Sequence, residues 1–306
     1  MKVAIIDSGI NREFVDFKNC TINVINMIDH NNADLLGHGT ATCAQIVQYQ
    51  GIGDYLILKI FTSSERTTLL NLIKALEICK EYDDIKLINL SLAFEIIDDQ
   101  IVKYLKTIVQ ELMEQGKIII CSKANKRSCS YLSCLSNVIG VELKYTPKSD
   151  REYFVFDSTN FNCLYFSPIK LMPCKNNNYT YYYGNSAATA MLTGNLMRYT
   201  DGNRKSVLEF LNNNNIEDLK IRKKVSQYFC EECVYKYIDD LLQGTHKDIF
   251  RKYKSLQQCF SIDESIELLK KIEDDFEIKL KYSEFTSFDF THLQNFVKRL
   301  NTSVIY

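Results

Sequence analysis

Short and almost entirely apolar segments recur along the first two-thirds of the chain. They are rich in Ile, Leu and Val, and segments of this length and composition are typical of strands that are buried on both faces of a sheet. The predicted strands are Val3–Ile6, Tyr55–Ile60, Lys86–Ser91, Lys117–Ser122 and Val138–Val141.

Longer amphipathic segments separate these predicted strands. Apolar residues recur at helical spacing in Thr67–Tyr82 and in Asp98–Gln115, and Gly116 follows the second segment where a helix would end. Alternation of strands and helices predicts a parallel sheet that is covered by helices. We therefore expect residues 1 to about 200 to form an α/β fold.

The pattern changes after about residue 200. Asn203–Asn215 predicts one more helix, and further helices are predicted near Cys230–Leu242, Asp263–Phe276 and Thr291–Leu300. No further alternation of strands with helices is seen in this part of the sequence. We expect an α/β domain over residues 1–222 and a small all-α domain over residues 226–306.

Composition narrows the possible partners and the compartment. The chain has 306 residues, 46% of them hydrophobic and 25% charged, with a formal net charge of -1, which gives no electrostatic reason to expect nucleic acid or an anionic membrane. No apolar run approaches the ~20 residues that span a bilayer, and the N-terminus becomes polar too soon for a secretion signal. Eleven cysteines without an export signal predict reduced thiols in the cytoplasm.

Four polar residues stand where strands end or helices begin. Asp7 follows the first predicted strand, and His38 lies between two glycines at a predicted helix start. Asn125 follows the strand that ends at Ser122, and Ser186 begins an Ala-rich helix after the polar loop Asn176–Tyr183. Taken singly, each has an ordinary explanation as a turn residue, a surface histidine or a helix cap. Together they occupy the edge of a parallel sheet where reactive groups collect.

Their order along the chain, Asp, His, Asn, Ser, matches the order in subtilisin-type serine proteases. Ile5-Ile6-Asp7-Ser8-Gly9 resembles the aspartate motif of the subtilases, Gly37-His38-Gly39-Thr40 the histidine motif, and Gly184-Asn185-Ser186-Ala187-Ala188 the serine motif. Gly194 stands at the helical packing position that the family uses. The resemblance covers residues 1 to about 200 and implies a subtilisin-like fold.

The resemblance implies a role for each catalytic candidate. Ser186 would attack the scissile carbonyl, and His38 would accept its proton and later give it to the leaving amine. Asp7 would hold the His38 tautomer. Asn125 would donate to the oxyanion, an interaction worth roughly 3–4 kcal/mol. This chemistry needs no metal or organic cofactor.

The resemblance also implies how a peptide would bind. Ile88-Asn89-Leu90-Ser91-Leu92 resembles the family's substrate strand, which pairs with the peptide as an extra β-strand. The substrate-binding candidates are Ser91, Leu92, Ala93, Lys123 and Ala124.

The sequence also departs from the family pattern near the specificity pocket. Ala190 replaces a usual proline, while Ala124 and Ala93 replace usual glycines. These changes favour a narrow substrate. Cytosolic members of the family include enzymes that trim leader peptides, and the resemblance therefore implies cleavage of a precursor peptide in peptide natural product maturation. Two alternatives stay open: a catalytically idle peptide-binding scaffold and a general intracellular turnover protease.

Two further expectations concern folding and calcium. The chain starts at its first strand without a propeptide, which favours an intracellular enzyme that folds unaided or with help from its second domain. Asp29 and Asp34 could bind calcium, but solvated loop carboxylates are the favoured interpretation.

The C-terminal helices resemble an acyl or peptidyl carrier protein over about residues 226–303. Ser261 is a weak candidate for the phosphopantetheine-bearing serine, since Phe260 replaces the usual aspartate. Loss of the prosthetic group is the favoured interpretation, which would leave a module on which a protein partner docks; a plain helical extension is the alternative.

Cys230 and Cys233 have the spacing of half a zinc site or a redox pair, but core residues at helical spacing are favoured.

Overall fold

A computed structural model describes residues 1–94, 99–124, 131–146, 149–176, 178–213 and 229–305. Eight strands in these ranges form one sheet in the order β2-β3-β1-β4-β5-β6-β8-β7. Neighbouring strands run parallel except for the antiparallel pair β7–β8. The strands are β1 (Lys2–Asp7), β2 (Cys20–Asn26), β3 (Gly53–Lys59), β4 (Ile85–Leu90), β5 (Ile118–Ser122), β6 (Ile139–Tyr145), β7 (Tyr153–Asp157) and β8 (Asn162–Ser167).

Helices cover both faces of this sheet. They are α1 (His38–Gln50), α2 (Leu69–Glu81), α3 (Asp99–Glu114), α4 (Asn185–Tyr199) and α5 (Arg204–Asn213). Successive residues of β1 point to opposite faces: Val3 and Ile5 join the core under α1 and α4, and Ala4 and Ile6 join the core under α2 and α3. Burial on both faces explains why the central strands are almost purely apolar, and the predicted α/β fold is confirmed.

Helices α1 and α4 pack closely enough to require a small residue between them. A Cβ atom added at Gly194 would lie 2.7 Å from the Tyr49 side chain and 2.8 Å from the Ile46 carbonyl oxygen. The glycine therefore lets the helices that begin at His38 and Asn185 approach each other, as the motif led us to expect.

A separate antiparallel hairpin precedes α4. It consists of β9 (Lys170–Pro173) and β10 (Tyr179–Tyr182). The interpretation of Asn176–Tyr183 as a polar loop is therefore wrong for its second half, because β10 pairs residue by residue with β9. Asn177 lies outside the described residues.

The C-terminal region, defined here as residues 229–305, is mainly helical. It contains α6 (Glu231–Leu241), α7 (Gly244–Tyr253), α8 (Ile262–Asp275) and α9 (Leu293–Ser303), and the short strands β11 (Lys279–Leu280) and β12 (Val304–Ile305) pair with each other. Three of these helices match predicted ones, whereas α7 was not predicted. The predicted boundary between residues 222 and 226 lies outside the described residues.

The β9–β10 hairpin joins the C-terminal region to the α/β fold. The Leu171 amide donates to the Phe285 carbonyl at 2.8 Å, and the Ser287 amide donates to the Ile169 carbonyl at 2.7 Å. The rings of Tyr179 and Tyr282 stack with their centroids 4.4 Å apart. One side of the hairpin thus belongs to the core of the C-terminal region.

In the described part of the chain, no helix has both the length and the apolar character needed to cross a membrane.

Candidate active site

Asp7 and His38 meet at the carboxyl end of the sheet. Asp7 is the last residue of β1 and is 1% exposed, and His38 is the first residue of α1. Their closest atoms, Asp7 Oδ1 and His38 Nδ1, are 2.8 Å apart. Because a carboxylate accepts hydrogen bonds, this contact places a proton on Nδ1 and leaves Nε2 as the proton acceptor of the neutral imidazole.

Gly39 allows the close contact between Asp7 and His38. A side chain at Gly39 would overlap the carbonyl of Gly9, which follows β1. The first turn of α1 therefore lies directly against the chain that leaves Asp7, and this explains why His38 is followed by a glycine.

Further donors hold the Asp7 carboxylate in place. The Ser8 amide donates to Oδ1 at 2.7 Å, and the Thr42 hydroxyl donates to Oδ2 at 3.1 Å. With one oxygen on His38 and the other on Thr42, the carboxylate cannot rotate without breaking a hydrogen bond. Such fixation orients the imidazole and fixes its tautomer.

Opposing effects act on the pKa of His38. Burial lowers this pKa, while the charge and hydrogen bond of Asp7 raise it, with smaller contributions from Asp34 and Glu65. The His38 side chain keeps 39% of its surface exposed. The loss of water around the imidazole is therefore partial, and the carboxylates shift the pKa above its usual value.

Ser186 is the second residue of α4, at the positive end of the helix dipole. Its hydroxyl donates to the Ser91 carbonyl at 2.9 Å. Between described residues, no hydrogen bond joins Ser186 Oγ to His38 Nε2. The helix N-terminus nonetheless offers the positive electrostatic environment that an oxyanion beside Ser186 would need.

The predicted substrate strand continues from β4. Ser91 and Leu92 are buried, and Ala93 is exposed. The Leu92 carbonyl accepts a hydrogen bond from the Ser122 hydroxyl at 3.0 Å. Pairing of this segment with a peptide stays a prediction.

Asn185 ties the serine motif to the chain after β5. Its side-chain amide donates to the carbonyls of Lys123 and Ala124 at 3.0 and 3.2 Å, and its oxygen accepts from the Leu143 amide at 2.9 Å. The candidates Lys123 and Ala124 are thus held beside the N-terminus of α4. Asn125 lies outside the described residues, so its part in an oxyanion site stays a prediction.

The interpretation of Asp34 as a solvated carboxylate is wrong. Asp34 is 1% exposed and accepts hydrogen bonds from the Ser8 hydroxyl and the Gly37 amide at 2.8 Å each. The Thr40 amide and hydroxyl occupy its other oxygen. Asp34 thus stabilises the loop that precedes His38. Its position four residues before the histidine could have suggested this function.

Asp29 also has partners, although its side chain is 42% exposed. It accepts from the Asn31 amide at 2.9 Å and lies 3.3 Å from the ammonium of Lys59, a buried lysine. In the described ranges, no group of three or more His, Cys, Asp or Glu side chains is arranged to hold a metal ion.

Tyr182 is a site residue that the sequence analysis missed. Its hydroxyl lies 3.4 Å from His38 Nε2 and 2.8 Å from the Thr42 hydroxyl oxygen. The signal that could have found it is the position of an aromatic strand residue two places before the glycine of the serine motif.

Ser261 and the cysteine pair occupy helix ends in the C-terminal region. The Ser261 hydroxyl accepts from the Glu264 amide and caps α8, and the Glu264 carboxylate accepts from the Ser261 amide. Cys230 and Cys233 are both exposed, so the interpretation of these cysteines as core residues is wrong. A hydrogen bond from Cys233 lowers the pKa of Cys230.

Comparisons with solved structures find several leader and maturation proteases of similar fold. The nisin leader peptidase NisP from Lactococcus lactis shares 19% identity over 72% of this chain and 83% of its own, with a TM-score of 0.54. A lanthipeptide protease shares 18% identity over 69% and 79%, with a TM-score of 0.57. The prenylagaramide maturation protease PagA shares 15% over 71% and 79%, with a TM-score of 0.50.

A comparison with curated protein sequences finds no significant match. The sequence model of the subtilase family, in contrast, matches residues 1–246, which include Asp7, His38 and Ser186 and extend through α6. The chain belongs to the subtilase family of serine peptidases.

Proposed function

We propose that this subtilase is a serine endopeptidase that cuts a precursor peptide, such as the leader of a peptide natural product. Asp7, His38 and Ser186 would act as its catalytic triad through an acyl-enzyme, with Asn125 as an oxyanion donor. The observation that carries the proposal is the 2.8 Å contact between His38 Nδ1 and buried Asp7, in a chain whose Ser186 lies at a helix N-terminus.

The maturation function draws on the structural neighbours. Three proteins of similar fold are named as a leader peptidase, a lanthipeptide protease and a maturation protease. At 15–19% identity these likenesses establish the fold alone, so the substrate class is our inference for this chain. Ala93 and Ala124, in place of the usual glycines, support a restricted pocket. The exposed thiols of Cys134, Cys230 and Cys233 support a reducing cytoplasm as its compartment.

A profile of cleavage sites tests this proposal. The full chain is incubated with a degenerate peptide library and, separately, with unfolded casein, and the new N-termini are identified by mass spectrometry. We expect cleavage at a narrow consensus and little cleavage of casein, with no cleavage by Ser186→Ala. Ser206→Ala, which changes a half-buried serine on α5, serves as the matched control. Unselective casein cleavage would instead indicate a turnover protease.

One observation favours the alternative of an idle peptide-binding scaffold. The Ser186 hydroxyl donates a hydrogen bond to the Ser91 carbonyl. The Tyr182 hydroxyl, and not that of Ser186, lies beside His38 Nε2. If the wild-type chain cleaves nothing but binds members of the library, and Ser186→Ala binds them equally well, the scaffold function is correct.

We also propose that the C-terminal region is a docking module for a protein partner, with the carrier-like shape predicted from its sequence but without a prosthetic group. Ser261 supports this view because its hydroxyl is engaged as the cap of α8. Co-expression with a pantetheinyl transferase and measurement of the intact mass test it. An unchanged mass is expected, whereas a phosphopantetheine adduct on Ser261 would make the region a functional carrier.

A further inference from the structure

Four side chains form a closed ring of polar contacts that includes both nitrogens of His38. His38 Nδ1 lies 2.8 Å from Asp7 Oδ1, and Asp7 Oδ2 lies 3.1 Å from the Thr42 hydroxyl oxygen. The Thr42 and Tyr182 hydroxyl oxygens are 2.8 Å apart, and the Tyr182 oxygen lies 3.4 Å from His38 Nε2.

The proton positions in this ring follow from the chemistry of its members. The Asp7 carboxylate only accepts, so the single hydroxyl proton of Thr42 points to Asp7. Thr42 then accepts the single hydroxyl proton of Tyr182. The Tyr182 oxygen is left with lone pairs toward His38, and the contact at Nε2 becomes a hydrogen bond only when Nε2 itself carries a proton.

We propose that Tyr182 is a positioning residue that stabilises the protonated form of His38 by accepting a hydrogen bond from Nε2–H. The inference rests on the proposed function, in which this form arises during acyl transfer. The bond from Ser186 Oγ to its hydrogen breaks as Oγ forms a bond to the acyl carbon, and the proton moves to Nε2. It then passes to the leaving nitrogen as the C–N bond breaks, and Tyr182 keeps its own proton throughout.

The surroundings of Tyr182 suit this function. The residue is 6% exposed, and its ring meets the His38 ring edge-on with centroids 5.5 Å apart. Burial, followed by the charge of Asp7, raises the pKa of Tyr182 far above its usual range, so the phenol stays protonated at any working pH. Ser91 and Ser186 also lie close enough to the Tyr182 hydroxyl to affect this pKa.

The other groups that face His38 act from different directions. They are the carboxylates of Asp7 on β1, Asp34 in the preceding loop and Glu65 after β3. The Thr42 hydroxyl on α1 contacts Asp7, and the Cys174 thiol lies next to Gly37. Among the described residues, Tyr182 is the group whose hydroxyl oxygen lies 3.4 Å from Nε2, where it can accept a hydrogen bond once Nε2 is protonated.

A histidine titration of the full chain tests the inference without requiring activity. The pKa of His38 is measured by NMR in protein labelled with 13C-histidine, with the resonance assigned from His38→Gln. We expect Tyr182→Phe to lower the pKa of His38, because the acceptor for Nε2–H is lost while the ring remains. The control Tyr181→Phe changes the neighbouring tyrosine, whose ring packs edge-on against Phe290 instead, and leaves the pKa unchanged. An unchanged or raised pKa in Tyr182→Phe would overturn the inference.

Kinetics provide the second readout. With a peptide substrate, Tyr182→Phe moves the acidic limb of kcat/KM to lower pH and lowers its plateau about tenfold, the loss expected for one hydrogen bond of ~1.4 kcal/mol. We expect KM to stay unchanged, because Tyr182 is buried and the lost interaction is made with protonated His38. A change in KM with kcat intact would instead indicate a purely structural effect and contradict the inference.

Thr42→Val checks the direction of the protons. Without the Thr42 acceptor, the Tyr182 proton turns toward Nε2 and favours the neutral imidazole, so the pKa of His38 falls. Adding Tyr182→Phe to this variant should raise the pKa again, and a further fall would contradict the assigned direction. The two claims can fail separately. If the pKa of His38 shifts as expected but wild-type Ser186 proves unreactive, the proposed function is wrong and the positioning function of Tyr182 is supported. If Ser186 is reactive but the pKa of His38 does not shift, the positioning function is wrong and the proposed function is supported.

Discussion

The hydroxyl of Ser186 donates to the Ser91 carbonyl at 2.9 Å, and the single proton of the Ser91 hydroxyl is shared between the Ser186 carbonyl at 3.1 Å and the Asn89 side-chain oxygen at 2.9 Å. This reciprocal pair ties the N-terminus of α4 to the end of β4. A peptide that paired with the segment after β4 through the Ser91 carbonyl would displace the Ser186 hydroxyl and leave it free to turn toward His38. The contact therefore links occupation of the proposed groove to release of the proposed nucleophile.

The Asp7–His38 contact predicts a large effect of Asp7→Asn on acylation. The amide cannot hold the Nδ1–H tautomer as a carboxylate does, so the acylation rate should fall by about 10⁴-fold, as in other serine protease triads. Single-turnover measurements with a peptide ester check this. Asp157→Asn, at the exposed end of β7, is the control and should behave like the wild type. An Asp7→Asn variant of near wild-type rate would exclude the triad.

The pH dependence should follow His38. Catalysis requires the neutral imidazole, so activity is lost as the pH falls through the raised pKa of His38. The charge of Glu65 contributes to this raised pKa, so Glu65→Gln should move the acidic limb of kcat/KM slightly to lower pH. High salt should produce a similar shift in the wild type, because exposed charges are screened. Glu114→Gln on α3 is the control. A shift of the acidic limb to higher pH in Glu65→Gln would contradict the view that Glu65 raises the pKa of His38.

Asn185 should matter more for catalysis than for substrate binding. Asn185→Ala removes two hydrogen bonds to the Lys123 and Ala124 carbonyls and one from the Leu143 amide, and should lower the free energy of unfolding by about 1–3 kcal/mol. We expect kcat to fall at least tenfold, because the chain that leads to Asn125 loosens. Urea unfolding and steady-state kinetics measure the two effects. Asn160→Ala, in the exposed turn between β7 and β8, should change neither, and a normal kcat in Asn185→Ala would contradict the positioning function.

A buried ion pair should stabilise the hairpin that carries Tyr182. The ammonium of Lys170, 3% exposed, lies 2.5 Å from Glu152 and donates to the Tyr49 hydroxyl at 2.8 Å. Lys170→Met leaves the Glu152 charge unpaired and should cost about 3–5 kcal/mol in urea unfolding. The double variant with Glu152→Gln should recover part of that loss. Equal stabilities of the single and double variants would show that the pair is not coupled.

The sequence predicted the parts of this structure that depend on local patterns. Five strands of the sheet could be predicted because burial on both faces makes them continuously apolar. Strands β2, β7 and β8 were missed because they lie toward the edges, where buried or half-buried side chains alternate with more exposed ones. The positions of Asp7, His38 and Ser186 followed from short motifs in which glycine and serine mark the turns.

Residues that act through long-range geometry could not be found in this way. Tyr182 reaches His38 because β10 pairs with β9 and turns this side chain toward α1, and a run of three tyrosines gives no sign of which one points inward. Asp34 was taken for a loop carboxylate because nothing local indicates its five hydrogen bonds. The attachment of the C-terminal region to the hairpin likewise depends on contacts between residues more than 100 positions apart.

The most direct test of the central claim, a competent serine nucleophile, is labelling with a fluorophosphonate. The full chain is treated with the probe, its intact mass is measured, and the adduct is located by peptide mapping. We predict one adduct per chain, on Ser186, which is absent in Ser186→Ala and retained in Ser206→Ala. A folded wild-type chain that stays unlabelled, or an adduct on a different serine, would contradict the account.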